Sequence, residues 1–176
     1  MSEGRKLQAP AYRNGWIPPD PMTVAEWADR YRVLSSKGSA EPGPWRTERT
    51  PYLRAPMECL SPTSPYRRVV LMFGSQLGKT EALLNWLGAI IHLWPAPTLL
   101  VQPTLDMAKR LNRQRLEPLL RETPVLSELV APARARDSGN TMFLKEFRGG
   151  LFALTGANPA GAAHAGYGQA PQPAAP

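Results

Sequence analysis

The chain has 176 residues, within the roughly 100 to 200 that one domain needs, so a single buried core fits and two hardly do. With 43% hydrophobic and 20% charged residues it is neither a fully disordered chain nor a membrane protein. Its 20 prolines, about twice ordinary usage near 5 per cent, predict irregular stretches. Lys and Arg outnumber Asp and Glu by 21 to 14, a net charge of +7, which suits a polyanionic partner such as nucleic acid or a nucleotide.

Residues 1–22 are proline-rich and lack apolar periodicity, which predicts a flexible arm. From Thr23 onward Val24, Trp27, Ala28 and Tyr31 share one helical face, and Glu26 stands three residues after Thr23. That is a capping box opening a short amphipathic helix over 23–31. Residues 34–65 form a long Gly/Pro/Ser-rich connection with a short helix around 52–60, and a loop of that length in a compact domain points to function.

The run over 67–73, two arginines and then Val69, Val70, Leu71, Met72 and Phe73, predicts a strand buried on both faces. Leu83, Leu84, Leu87, Ile90 and Ile91 follow at helical spacing until Pro95. Residues 98–102 predict a second buried strand. Thr104 and Asp106 open a second helix carrying Leu105, Ala108, Leu111 and Leu116. Strand, helix, strand, helix means an α/β sheet with right-handed crossovers. Two strand-like runs, 141–147 and 151–155, joined across Arg148, Gly149 and Gly150, predict a β-hairpin. Past it, 159–176 is rich in Ala, Gly and Pro and uncharged, a composition that predicts a disordered tail.

The apolar stretch over 82–105 is broken by Asn85, His92, Pro95, Pro97, Gln102 and Pro103, so no membrane span is predicted. The single cysteine, Cys59, and the absence of a cleavable leader pattern in the first residues place the chain in a reducing cytoplasm. His92 and His164 have no spaced carboxylates around them, so no protein metal site is predicted from them.

The sharpest constellation is Gly74-Ser75-Gln76-Leu77-Gly78-Lys79-Thr80, between the expected strand and helix. Small residues let successive backbone N–H groups turn onto a phosphate, and the helix start adds its positive end. Lys79 would meet the β and γ phosphates of ATP, while the Thr80 hydroxyl would hold Mg²⁺. Phe73 stands where the usual G-x-x-x-x-G-K-[ST] pattern has its first glycine, displaced here to Gly74. The bland alternative is a plain strand-to-helix turn, but lysine in a helix's first turn opposes the dipole. Downstream, Lys109, Arg110, Arg113 and Arg115 give the second helix a basic face that could track a DNA backbone or simply meet solvent. Trp45 and Tyr52 would serve as hydrophobic plugs, or Tyr52 as a platform for adenine.

These residues resemble the large terminase subunits of tailed phages, of the lambda type. The helix over 23–31, the segment Gly43-Pro44-Trp45-Arg46-Thr47 with Pro51-Tyr52-Leu53, and the loop over 74–80 with its first glycine missing carry the likeness. So do Pro103-Thr104 with the helix to Pro118, Asp137-Ser138-Gly139-Asn140-Thr141, and Leu154-Thr155-Gly156-Ala157-Asn158. The resemblance implies an ASCE-like P-loop NTPase domain, partial over 23–158, with ATP and Mg²⁺ as ligands. It implies double-stranded DNA, the small terminase subunit and the portal as partners, and the cytoplasm of a bacterial host as location.

In that family an Asp-Glu pair after the Gly-Ala-Asn segment handles Mg²⁺ and the attacking water. No Asp or Glu follows Asn158 here. The expectation is therefore an ATP-binding N-terminal part of the DNA-packaging motor without efficient turnover or the nuclease domain, a truncated or frame-shifted product. The alternative is a non-catalytic product that binds nucleotide or DNA, and a nucleoside kinase or helicase-like ATPase would need acidic or lid residues that are missing. The missing acidic strand also predicts an exposed apolar sheet face.

Overall fold

The structure, a computed structural model, describes residues 21–36, 39, 41–130 and 141–157. The expected arm, apart from its last two residues, and the expected tail over 159–176 lie outside the described residues; of the arm, Met22 packs into the core.

Helix α1, Val24–Tyr31, forms as its capping box requires. The Thr23 hydroxyl accepts from the Glu26 N–H at 3.2 Å, and the Glu26 carboxylate accepts from the Thr23 N–H at 2.7 Å. Val24, Trp27 and Ala28 are buried, while Tyr31 is half-buried at the helix end. The connection that follows is better anchored than a loose loop. Strands β1 (Val33–Leu34) and β2 (Gly43–Pro44) pair antiparallel, and two 3₁₀ turns, Thr47–Arg49 and Pro51–Leu53, lead into helix α2, Arg54–Cys59. Trp45, Thr47, Leu53 and Met57 are buried along it.

Helix α3, Lys79–Leu93, lies against α1 through a close approach that only glycine permits. A Cβ on Gly88 would come within 2.2 Å of the Trp27 ring. One turn on, the Trp27 indole N–H donates to His92 Nδ1 at 3.1 Å, and the Tyr31 ring meets the His92 ring edge-on at 4.9 Å. Burial pushes the His92 pKa below its ordinary value, and protonated His92 would lose its acceptor. A histidine whose folded pKa is depressed contributes stability above its unfolded pKa and loses it as pH falls through the folded one. Unfolding midpoints are therefore expected to drop as pH falls from about 7 to below the unfolded value near 6.5, and less so in His92→Gln. Parallel pH profiles for the two proteins in denaturant titrations would contradict this role for His92.

The second half of the chain holds a three-stranded sheet. Strand β3, Thr98–Gln102, runs parallel to β5, Gly150–Gly156, with Thr98 opposite Phe152 and Gln102 opposite Gly156. Strand β4, Leu144–Phe147, pairs antiparallel with β5. Between β3 and β4 the chain forms helix α4 (Leu105–Leu111), a π-helical turn (Asn112–Leu116), and helices α5 (Glu117–Glu122) and α6 (Pro124–Ser127). Thr104 caps α4 by accepting from the Met107 N–H. The result is a mixed α/β fold with the expected hairpin, although its first arm begins at Leu144 because residues 141–143 form a turn.

Two expectations need correction. Residues 67–73 are not a strand buried on both faces: Val70 is 71% and Met72 91% exposed, while Val69, Leu71 and Phe73 are half-buried. An inner strand needs neighbours to take its N–H and C=O groups, and among the described residues no strand pairs with this run. Strand β3 likewise covers one face only, since Leu99 and Val101 are exposed. Among the described residues nothing covers that apolar strip of β3.

Candidate functional site

The loop over 74–80 joins the run that ends at Phe73 to helix α3. Its backbone turns through two left-handed positions, Gln76 at φ 59° and Gly78 at φ 79°, the second being the N-cap of α3. Glycine at 78 is required twice over. The positive φ disfavours a side chain, and a Cβ there would meet Leu53 Cδ1 at 2.8 Å. Leu53 is fully buried, so the 3₁₀ turn Pro51–Leu53 braces the loop from below. Left-handed positions of this kind occur in anion-binding backbone concavities, and the start of a 15-residue helix at Lys79 is itself electropositive.

The Lys79 ammonium folds back over this loop, donating to Phe73 O at 2.9 Å and to Gly74 O at 2.6 Å. It thus ties the two carbonyls at the start of the loop together. Ser75, Gln76, Leu77 and Thr80 are exposed. Tyr52, 49% exposed, meets the Phe73 ring edge-on at 6.4 Å, whereas Trp45 is buried and donates to the Thr47 hydroxyl. Trp45 is thus the plug of the two. Among the described residues no group of three or more His, Cys, Asp or Glu could hold a metal ion.

One residue beyond Thr80, Glu81 gathers two arginines from distant parts of the chain. Arg32, just after α1, approaches Glu81 Oε2 at 3.1 Å, and Arg115, in the π-helical turn, approaches Glu81 Oε1 at 3.0 Å. Arg32 is only 5% exposed and also donates to Val33 O and to Asn85 Oδ1. Burial presses its pKa downward and Glu81 opposes that shift, so the carboxylate offsets the cost of burying the guanidinium charge. The four basic residues proposed for DNA are consequently split. Arg110 and Arg113 are exposed, Lys109 is half-buried and pairs with Asp106 at 3.2 Å, and Arg115 is drawn toward α3.

The family model for the ATPase domain of the phage terminase large subunit gpA matches residues 39–165. The chain belongs to this family. The terminase large subunit of Enterobacteria phage P21 is 30% identical over 135 residues, covering 77% of the chain and 21% of that protein. The terminase large subunit of Escherichia phage lambda is 29% identical over 133 residues, covering 75% and 20%. The chain thus spans about a fifth of the length of these curated relatives. No solved structure matches it significantly.

Within this terminase ATPase domain, the loop was legible as a contiguous motif, but the Arg32–Glu81–Arg115 cluster was not. Its members lie 34 and 49 residues apart, and only Glu81, in the first turn of α3, carried a local hint in its favourable place against the helix dipole. Beside the cluster a cavity of about 350 Å³ opens between Trp45, Arg46, Thr50 and Arg115.

Proposed function

We propose that the chain is the nucleotide-binding part of a phage DNA-packaging motor, with a P-loop NTPase fold, ATP as ligand and Mg²⁺ as its companion ion. The observation that carries this reading is the loop over 74–80. Two left-handed positions, a helix start and a lysine lying over two backbone carbonyls are the parts from which a phosphate cradle is built. Backbone amides of residues 75–80 would take the phosphate oxygens, Lys79 would swing from Phe73 O and Gly74 O onto the β and γ phosphates, and the exposed Thr80 hydroxyl would face the metal. When bound, Mg²⁺ would neutralise phosphate charge. Family membership and the +7 charge of the chain support the same ligand class. Calorimetric titration of magnesium ATP into the 176-residue chain, with Lys79→Ala beside it, is the test.

In the whole motor the partners would be double-stranded DNA, the small terminase subunit and the portal, within the cytoplasm of the bacterial host. No described helix is long and apolar enough to cross a membrane. On this chain the DNA contact falls to Lys109, Arg110 and Arg113, with Arg115 at their edge. Binding through such residues neutralises backbone phosphates and releases counterions, so it would be independent of sequence and fall steeply with salt. Arg110→Ala with Arg113→Ala is expected to flatten the salt dependence by roughly two phosphate contacts. Fluorescence anisotropy on duplex DNA at rising salt measures it, and an unchanged slope would remove these residues from the interface.

A further inference from the structure

We infer that Glu81 is a positioning residue for the phosphate loop, fixed by Arg32 and Arg115 so that the first turn of helix α3 presents Lys79 and Thr80 in one geometry. The inference rests on the nucleotide reading of that loop. Glu81 stands third in α3, directly behind the two residues that would meet phosphate and metal. At that position a carboxylate ordinarily reaches back to its own helix cap or into solvent. Here both oxygens are taken by guanidinium groups instead, at 3.1 and 3.0 Å, and only about a fifth of the side chain is exposed.

The two arginines come from separate elements of the fold. Arg32 ends α1 and is locked by Val33 O and Asn85 Oδ1 as well as by Glu81. Asn85 is itself fully buried on α3, one turn beyond Glu81, so a single guanidinium grips α3 at two successive turns. Arg115 comes from the π-helical turn Asn112–Leu116. The extra residue per turn of a π-helix re-aims the side chains that follow, a device common at functional sites. A helix start tied by two guanidinium groups resists rotation and fraying, and pre-organised donors lose less on binding than mobile ones.

Charge alone makes the opposite statement about Glu81. A carboxylate one residue from Thr80 repels a polyphosphate, so its neutralisation should tighten binding if electrostatics were its whole effect. The decisive variant is therefore Glu81→Gln, which keeps the shape and removes the charge that holds two arginines. Affinity for magnesium tripolyphosphate and for magnesium ATP, measured by calorimetry on the 176-residue chain, is expected to fall on the order of fivefold. Unchanged or tighter binding in a folded Glu81→Gln protein would overturn the inference.

Should that variant lose its cooperative melting transition, Arg115 decides, since its partly exposed side chain can be cut at little cost to the fold. Arg115→Ala should then weaken both ligands, and Arg115→Lys should recover most of the loss. Equal weakening by Ala and Lys with the melting curve unchanged, or no weakening by either, would count against the clamp. Failure of the loop reading looks different. The wild-type chain would then bind neither ligand, or bind both with no dependence on Lys79.

Discussion

Lys79→Ala is expected to weaken magnesium ATP binding by about 2 to 3 kcal/mol, the scale of hydrogen bonds to charged groups, or roughly 30- to 150-fold in affinity. The ammonium is the only full positive charge that the loop over 74–80 carries, and the backbone amides around it supply partial charge alone. The same substitution should hardly touch the fold. Lys79 Nζ donates to Phe73 O and Gly74 O, but Gly74 is exposed, so water can replace the ammonium at a net cost of about 1 kcal/mol or less. Affinity should fall while the melting temperature stays, which separates a ligand contact from a structural one. Lys79→Arg is not expected to restore binding, because a planar guanidinium cannot occupy the place of a compact ammonium between the two carbonyls. Equal affinities for wild type and Lys79→Ala would remove the loop from the binding site.

Local signals were the legible ones. Thr23 and Glu26 announced α1 because a capping box is complete within four residues. The spacing of Leu84, Leu87 and Ile91 announced α3, and Gly78-Lys79-Thr80 announced the loop because its geometry needs those residue types side by side. Residues 67–73 misled for the opposite reason. A hydrophobic run states that burial would be favourable, not that a neighbouring strand exists to provide it, and Met72 stands in solvent. The Glu81 cluster was hidden because three charged residues far apart in sequence look like ordinary surface charges until the fold joins them. Arg115 shows the consequence: it stands close in sequence to Lys109, Arg110 and Arg113, yet in the fold it pairs with Glu81 of α3.

Trp27→Ala is expected to cost about 3 to 5 kcal/mol of folding stability, the range for emptying the site of a large buried aromatic. Trp27 is fully buried among the largest side chains of the core. Its indole lies over Gly88 and beside the Tyr31 ring, with centroids 6.3 Å apart. Two contributions can be told apart. The hydrogen bond to His92 Nδ1 is worth about 1 kcal/mol net, so Trp27→Phe, which keeps an aromatic plate and gives up the donor, should lose far less than Trp27→Ala. If Phe lost as much as Ala, the polar contact would dominate and the packing account would be wrong. Gly88→Ala probes the same interface from the other side. Its new methyl would stand 2.2 Å from the fully buried Trp27 ring, and overpacking of that kind costs about 1 to 3 kcal/mol. Because these residues join α1 to α3, the damage should reach the loop through the helix that Lys79 begins. Denaturant titration gives the stability and calorimetry the affinity, and Gly88→Ala is expected to lower the first more than the second while Lys79→Ala does the reverse.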